Sequence, residues 1–355
     1  MKNSKNIAVV CNYELKPTRI GGMDRFFKAY NVALLQIGYK PTWFFSGGQT
    51  FDFYSGFELQ IAENEPVETF MLKSEKSFGL VVTHFLALCT SFYKKLKSKN
   101  QPYIIAVDHN PRPLEGFPLK KRIKNRLKGK LYSRYIDCFV GVSQYTADCI
   151  LQDYGSNLEK KTKVVYNGID TSVYRKRTEE HRGKFIVASH LRKSKGIQDL
   201  IEAVKILPEE IRDKIQITVF GEGPMEKDLK ELVAVYGLQE QFIFKGSSPH
   251  LPELFRNYSY MLQPTYMECF SLSILESLAA NVPVITTPVG GNPEIISHGK
   301  NGFIFRTGNI EELSELLQKV VQRKISIAQD VSDLIEEEYS LEQMVANHIK
   351  LLPCT

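Results

Sequence analysis

Short apolar runs recur along this chain, and most are followed by a segment long enough to be a helix. Ile7–Cys11 (IAVVC) opens the series. Phe26, Tyr30, Ala33 and Ile37 then recur at helical spacing, with Gly38 placed as a stop. TWFF, LVVTH, YIIAVDH, CFVGVS and KVVYNG follow. Strands buried on both faces read as continuous apolar runs, and parallel strands need crossover connections. The pattern therefore predicts a parallel sheet with helices on both faces. Thr171–Lys184 (TSVYRKRTEEHRGK) breaks it, being polar and without periodicity. The alternation restarts with FIVASH, QITVFG, FIFKG, YMLQP, VPVITT and GFIF. The expected architecture is α/β, with two doubly wound, Rossmann-like domains facing a central cleft. Their expected spans are 1–170 and 184–338, with 171–183 as linker. Residues 339–355 are expected to form a C-terminal helix returning toward the first domain. Ligands of doubly wound sheets bind beyond the carboxyl ends of the strands.

The length of 355 residues fits about two domains. Composition is that of a soluble globular protein, 43% hydrophobic and 24% charged, which argues against a disordered chain. Cys11, Cys89, Cys138, Cys149, Cys269 and Cys354 form no CxxC pair. That spacing argues against a zinc site and a disulfide framework, and fits a reducing compartment. The N-terminal apolar run is too short for a signal-peptide core, and no 18-residue apolar run occurs. The expectation is a cytoplasmic protein, soluble or peripheral at the inner face of the cell membrane.

The net charge of +6 is unevenly spread. Leu119–Tyr135 (LKKRIKNRLKGKLYSRY) holds Lys120, Lys121, Arg122, Lys124, Arg126, Lys128, Lys130 and Arg134 with no acid. Ile123, Leu127 and Leu131 form an apolar stripe, so the segment reads as a basic amphipathic helix. Either the stripe packs on its own domain, or the helix also rests on an anionic membrane. Nucleic acid is disfavoured, because aromatics do not interleave with the charges and no binding motif is present.

FGEGPMEKDL places Gly221 and Gly223 after a strand, but Glu226 occupies the third glycine position of a dinucleotide fingerprint. No GxxxxGK[ST] loop, Asp-x-Asp pair or GxSxG elbow occurs. ECFSLSILE is more informative. Glu268 falls in a loop after YMLQP, and Glu276 in the second turn of a helix beginning near Ser271. The first amides of that helix, around Phe270, Ser271 and Leu272, form a ready anion site. Either carboxylate alone could simply complement the helix dipole.

The ordered set of motifs resembles glycosyltransferase family 4, retaining nucleotide-sugar transferases of the GT-B fold. Its E-x7-E signature is matched by Glu268 and Glu276, and its flanks by VPVITTPVGGNPEII and HGKNGFIF. KSKGIQDLIEAV, VFGEGPMEKDLKELV, FIFKG, RIGGMDRFF, VDHNP, VGVS and VVYNGID resemble further family segments, so the likeness spans nearly the whole chain. The resemblance implies that Glu276 binds ribose hydroxyls, Glu268 contacts the donor sugar, and Phe270–Leu272 hold the diphosphate. Cys269 and Ser271 stand where the family prefers glycine. Lys195 matches the family's phosphate-binding lysine. His190 occupies its arginine position, with Arg192 two residues on. Gly21 and Gly22 match a loop near the donor phosphate or acceptor, and His109 a histidine near the donor sugar. His84, at the end of LVVTH, is a less direct match.

The implied activity moves a sugar, with UDP-sugar favoured as donor, to a glycan or lipid-linked acceptor in bacterial surface polysaccharide or glycolipid synthesis. No metal and no cofactor are implied. A sugar phosphorylase, a nucleotide-sugar epimerase and a non-catalytic membrane-docking subunit are the alternatives.

Overall fold

The computed structural model describes residues 5–17 and 20–353; Arg19 and Cys354 lie outside them. The chain forms two compact units, residues 1–168 with 341–355, and residues 169–340.

Seven parallel strands build the sheet of the first unit. They are β1 (Asn6–Leu15), β2 (Lys40–Gly48), β3 (Glu58–Ile61), β4 (Leu80–His84), β5 (Tyr103–Asp108), β6 (Cys138–Gly141) and β7 (Thr162–Val164). Their order is β3-β2-β1-β4-β5-β6-β7. The central strands are buried almost throughout, which is why they read as continuous apolar runs. β3 lacked that signal because it is an edge strand with one face exposed and the other half-buried. The Gly22–Gln36 helix follows β1 and buries Phe26, Phe27 and Tyr30. It stops where expected, one residue before exposed Ile37, with Gly38 in the left-handed region at φ +83°. The Leu341–Lys350 helix belongs to this unit and packs on the Gly22–Gln36 helix.

Six parallel strands build the second sheet: β8 (Lys184–Ala188), β9 (Gln216–Phe220), β10 (Phe242–Gly246), β11 (Tyr260–Gln263), β12 (Val284–Thr286) and β13 (Gly302–Ile304). Their order is β10-β9-β8-β11-β12-β13. Both sheets therefore reverse strand order beside their first strand, at β1/β4 and at β8/β11. Such switch points open a crevice at the strand carboxyl ends. Residues 171–183, expected as a linker, are part of the second unit. Half-buried Arg177 ties them down, donating from Nη1 to Ser259 O (2.9 Å) and from its backbone amide to Ala280 O (2.8 Å).

The basic segment forms the Leu119–Tyr132 helix, but its orientation is unusual. Asn125 and Gly129 are its buried residues, and Gly129 lies against Tyr154 O so closely that a Cβ would stand 2.0 Å from it. Ile123, Leu127 and Leu131 are each more than half exposed, as is Leu119. The stripe thus faces solvent, and packing on its own domain is excluded. Among the described residues no helix is long and apolar enough to cross a membrane.

Candidate functional site

In the second unit, the expected residues lie on the segments that follow β8 and β11, the two strands of the switch point. His190, Arg192 and Lys195 lie just after β8, and His190 and Arg192 are exposed. A short turn, Lys193–Lys195, docks on the segment following β11. Tyr266 N donates to Ser194 O (2.8 Å), as does Thr265 Oγ1 (3.2 Å). This brings the Lys195 ammonium into an ion pair with Glu268, both largely buried. Glu268 is also held from below. Gly290, at φ +62°, approaches Glu268 O so closely that a Cβ would stand 2.2 Å away. Gly291 N donates to Cys269 O (2.9 Å).

The Leu272–Ala279 helix begins immediately beyond, with Ser271 at its N-cap. The Ser271 hydroxyl makes no capping bond to its helix. It accepts instead from Gln263 Nε2 (2.6 Å), which also reaches Ser273 Oγ (3.0 Å). Thr286 Oγ1 donates to Gln263 O (3.0 Å), and Asn292 Nδ2 to Thr286 Oγ1 (3.1 Å). This buried network fixes the entrance of the helix while leaving its first amides without a side-chain cap, where the helix dipole is positive. Glu276 lies in the second turn, half-buried. The departure from glycine at 269 and 271 needs no strain: neither residue adopts a left-handed backbone, and Ser271 has φ −82°. Phe270 is buried with its ring 5.5 Å from that of Tyr339.

The first unit places Gly21, Gly22 and His109 at the carboxyl end of its own sheet. Gly21 caps the Gly22–Gln36 helix. Its amide donates to Asp24 Oδ2 (2.8 Å), and that buried carboxylate also accepts from Tyr13 (2.8 Å) and Tyr54 (2.6 Å) hydroxyls. Burial, then the Asp24 carboxylate, push the Tyr54 phenol up, so it remains a donor. His109 follows β5 and pairs with His84 at the end of β4, Nε2 to Nδ1, at 3.0 Å. Burial, then His348, bring His109 down to about 3. It is therefore a neutral imidazole at ordinary pH.

Several residues of these two sites escaped the motifs. Asp24 had a local signal, being three residues after Gly21, as in a capping box. His348 had none, because its place comes from a helix that returns across the unit. Tyr266, pushed up to about 12 by burial and by Asp199, to which it donates, was visible only as an aromatic before Glu268.

Comparison with known proteins bears on both units. The family model for glycosyl transferases group 1 matches residues 170–340, and that for glycosyltransferase family 4 matches residues 23–173. N-acetyl-alpha-D-glucosaminyl L-malate synthase of Bacillus anthracis is 28% identical over 202 residues, 53% of this chain and 52% of that one. Putative glycosyltransferase EpsD of Bacillus subtilis is 28% identical over 224 residues, covering 59% and 58%. The chain thus spans about half the length of the curated relatives it matches. The crystal structure of Anabaena Alr3699/HepE in complex with UDP and glucose shares the fold at TM-score 0.78 and 18% identity, covering 97% of this chain and 99% of that one. Sucrose-phosphate synthase from Thermosynechococcus elongatus does so at 0.76 and 14%, covering 98% of each.

Proposed function

Because the chain belongs to glycosyltransferase family 4, we propose that it is a retaining glycosyltransferase that moves a sugar from a nucleotide diphosphate, UDP favoured, to a glycan or lipid-linked acceptor. The observation that carries this reading is the Lys195–Glu268 pair beside an uncapped helix N-terminus at a switch point. A diphosphate suits that arrangement: Lys195 and the amides of Phe270, Ser271 and Leu272 offer positive potential, and Arg192 or His190 adds a further donor. Lys195 then exchanges its carboxylate partner for phosphate, which frees Glu268 to accept from sugar hydroxyls. Glu276 accepts from the ribose, since one carboxylate can take two hydroxyl donors. HepE, whose crystal structure holds UDP and glucose, supports a UDP-sugar donor.

The acceptor falls to the first unit, where Gly21 and Gly22 serve the donor phosphate or the acceptor and His109 the donor sugar. Front-side transfer forms the bond from acceptor oxygen to the anomeric carbon as the bond to the diphosphate breaks. The leaving phosphate oxygen takes the acceptor's proton. No metal enters this scheme: the negative charge that develops on the leaving diphosphate is met by side chains and amides, acting in a site that excludes water. The role in surface polysaccharide or glycolipid synthesis, at the inner face of the cell membrane, rests on the Leu119–Tyr132 helix. Its outward apolar stripe and basic flanks complement an anionic lipid surface.

Donor consumption followed with and without a membrane or glycan extract tests the reaction class. UDP release that requires the extract supports transfer. Release driven by inorganic phosphate, or donor isomerised alone, would assign a phosphorylase or an epimerase instead.

A further inference from the structure

Three histidines of the first unit share one buried cluster. His84 ends β4, His109 follows β5, and His348 comes from the Leu341–Lys350 helix. The His84 and His109 ring centroids are 5.3 Å apart, and those of His84 and His348 are 5.8 Å apart. Phe26 faces His348 at 4.9 Å and His84 at 5.7 Å. Phe85 stacks on His109 at 4.1 Å and 22°. It does so from a backbone at φ +61°, where aromatic residues are outliers. Such strain persists where the surroundings over-determine it, commonly at functional sites. Among the described residues no group of three or more His, Cys, Asp or Glu is arranged to hold a metal ion.

A hydrogen bond between two neutral imidazoles needs one donor and one acceptor. The unpartnered nitrogen decides which is which. His84 Nε2 is buried and has no hydrogen-bond partner. A proton there would leave an orphan buried N–H, which folded proteins avoid more strictly than an orphan acceptor. The His84 proton therefore belongs on Nδ1, facing His109 Nε2 at 3.0 Å. His109 Nε2 is then an acceptor, and its own proton must be on Nδ1.

We propose that His84 is a positioning residue: its Nδ1–H donates to His109 Nε2 and holds His109 as the Nδ1–H tautomer. His109 in that form donates a hydrogen bond to a sugar oxygen and has no basic nitrogen to offer the acceptor. Its catalytic consequence rests on the transferase reading above; the tautomer does not.

Two-bond proton–nitrogen correlation spectra of the labelled full chain read each ring directly, without substrate. The expected result is neutral Nδ1–H patterns for both His84 and His109 at about pH 7. An Nε2–H pattern or a charged ring at His109 overturns the assignment. For the catalytic part, His84→Phe keeps a ring and removes the bond, while His84→Asn restores a short amide donor. With a UDP-sugar donor, His84→Phe is expected to lower kcat roughly 10- to 100-fold with donor KM little changed. His84→Asn is expected to recover much of the loss. Unchanged kcat in a folded His84→Phe, or equal losses in both variants that follow their melting temperatures, overturns the positioning role.

Discussion

Lys195 and Glu268 are 73 positions apart in the chain, yet they form the ion pair on which the proposed donor site rests. The match of each to a motif was legible because the motifs are contiguous. Their pairing was not, since it depends on a turn after β8 docking on the segment after β11. Lys195→Ala is expected to lower kcat/KM for the donor about 10²- to 10³-fold, the size of losing one preorganised group at a developing charge. A steady-state assay that finds kcat/KM intact would remove Lys195 from the site. The histidines carry a second expectation. Burial holds His348 down to about 3, and His109 likewise, against an ordinary value near 6.5. The unfolded chain therefore binds more protons than the native one between those values. Stability is complete above about pH 6.5 and falls as pH drops toward 3, by at most about 1.4 kcal/mol per pH unit for each such histidine. Denaturant midpoints measured across that range should show the decline, and His348→Phe should flatten it. An identical slope in the variant would contradict the burial argument.

Helices and strands were legible wherever periodicity was strong. The Gly22–Gln36 helix ends beside its glycine, and the helix expected from about Ser271 runs Leu272–Ala279. The Leu119–Tyr132 helix shows what periodicity leaves open. A stripe can be read from spacing, but the side to which it turns depends on packing, and here small, buried Gly129 sets the contact with Tyr154. The polar face against the domain leaves Ile123, Leu127 and Leu131 outward. Replacing Lys120, Lys121, Arg122 and Lys124 together with Ser should weaken binding to anionic liposomes strongly, since each basic residue near such a surface is worth about 1 kcal/mol. Liposome co-sedimentation measures it, and equal binding by the variant would contradict a role for these charges on an anionic surface.

At the scale of the whole molecule, two parallel sheets with the same order of their first strands explain why the alternation of apolar runs appeared twice. Their switch points explain why the carboxylates, the lysine and the histidines come from segments that follow strands. Boundaries were harder to see. Residues 171–183 look like a linker because they are polar, but hydrogen bonds from Arg177 fasten them to the second unit. Calorimetric titration of UDP into the full chain and into Glu276→Ala tests the central claim most directly. A ribose-binding carboxylate predicts saturable UDP binding by the wild type, and a roughly 10- to 100-fold weaker constant in the variant, as for losing a charged hydrogen bond. Failure of the wild type to bind UDP or any other nucleoside diphosphate, or equal affinity in the variant, would contradict it.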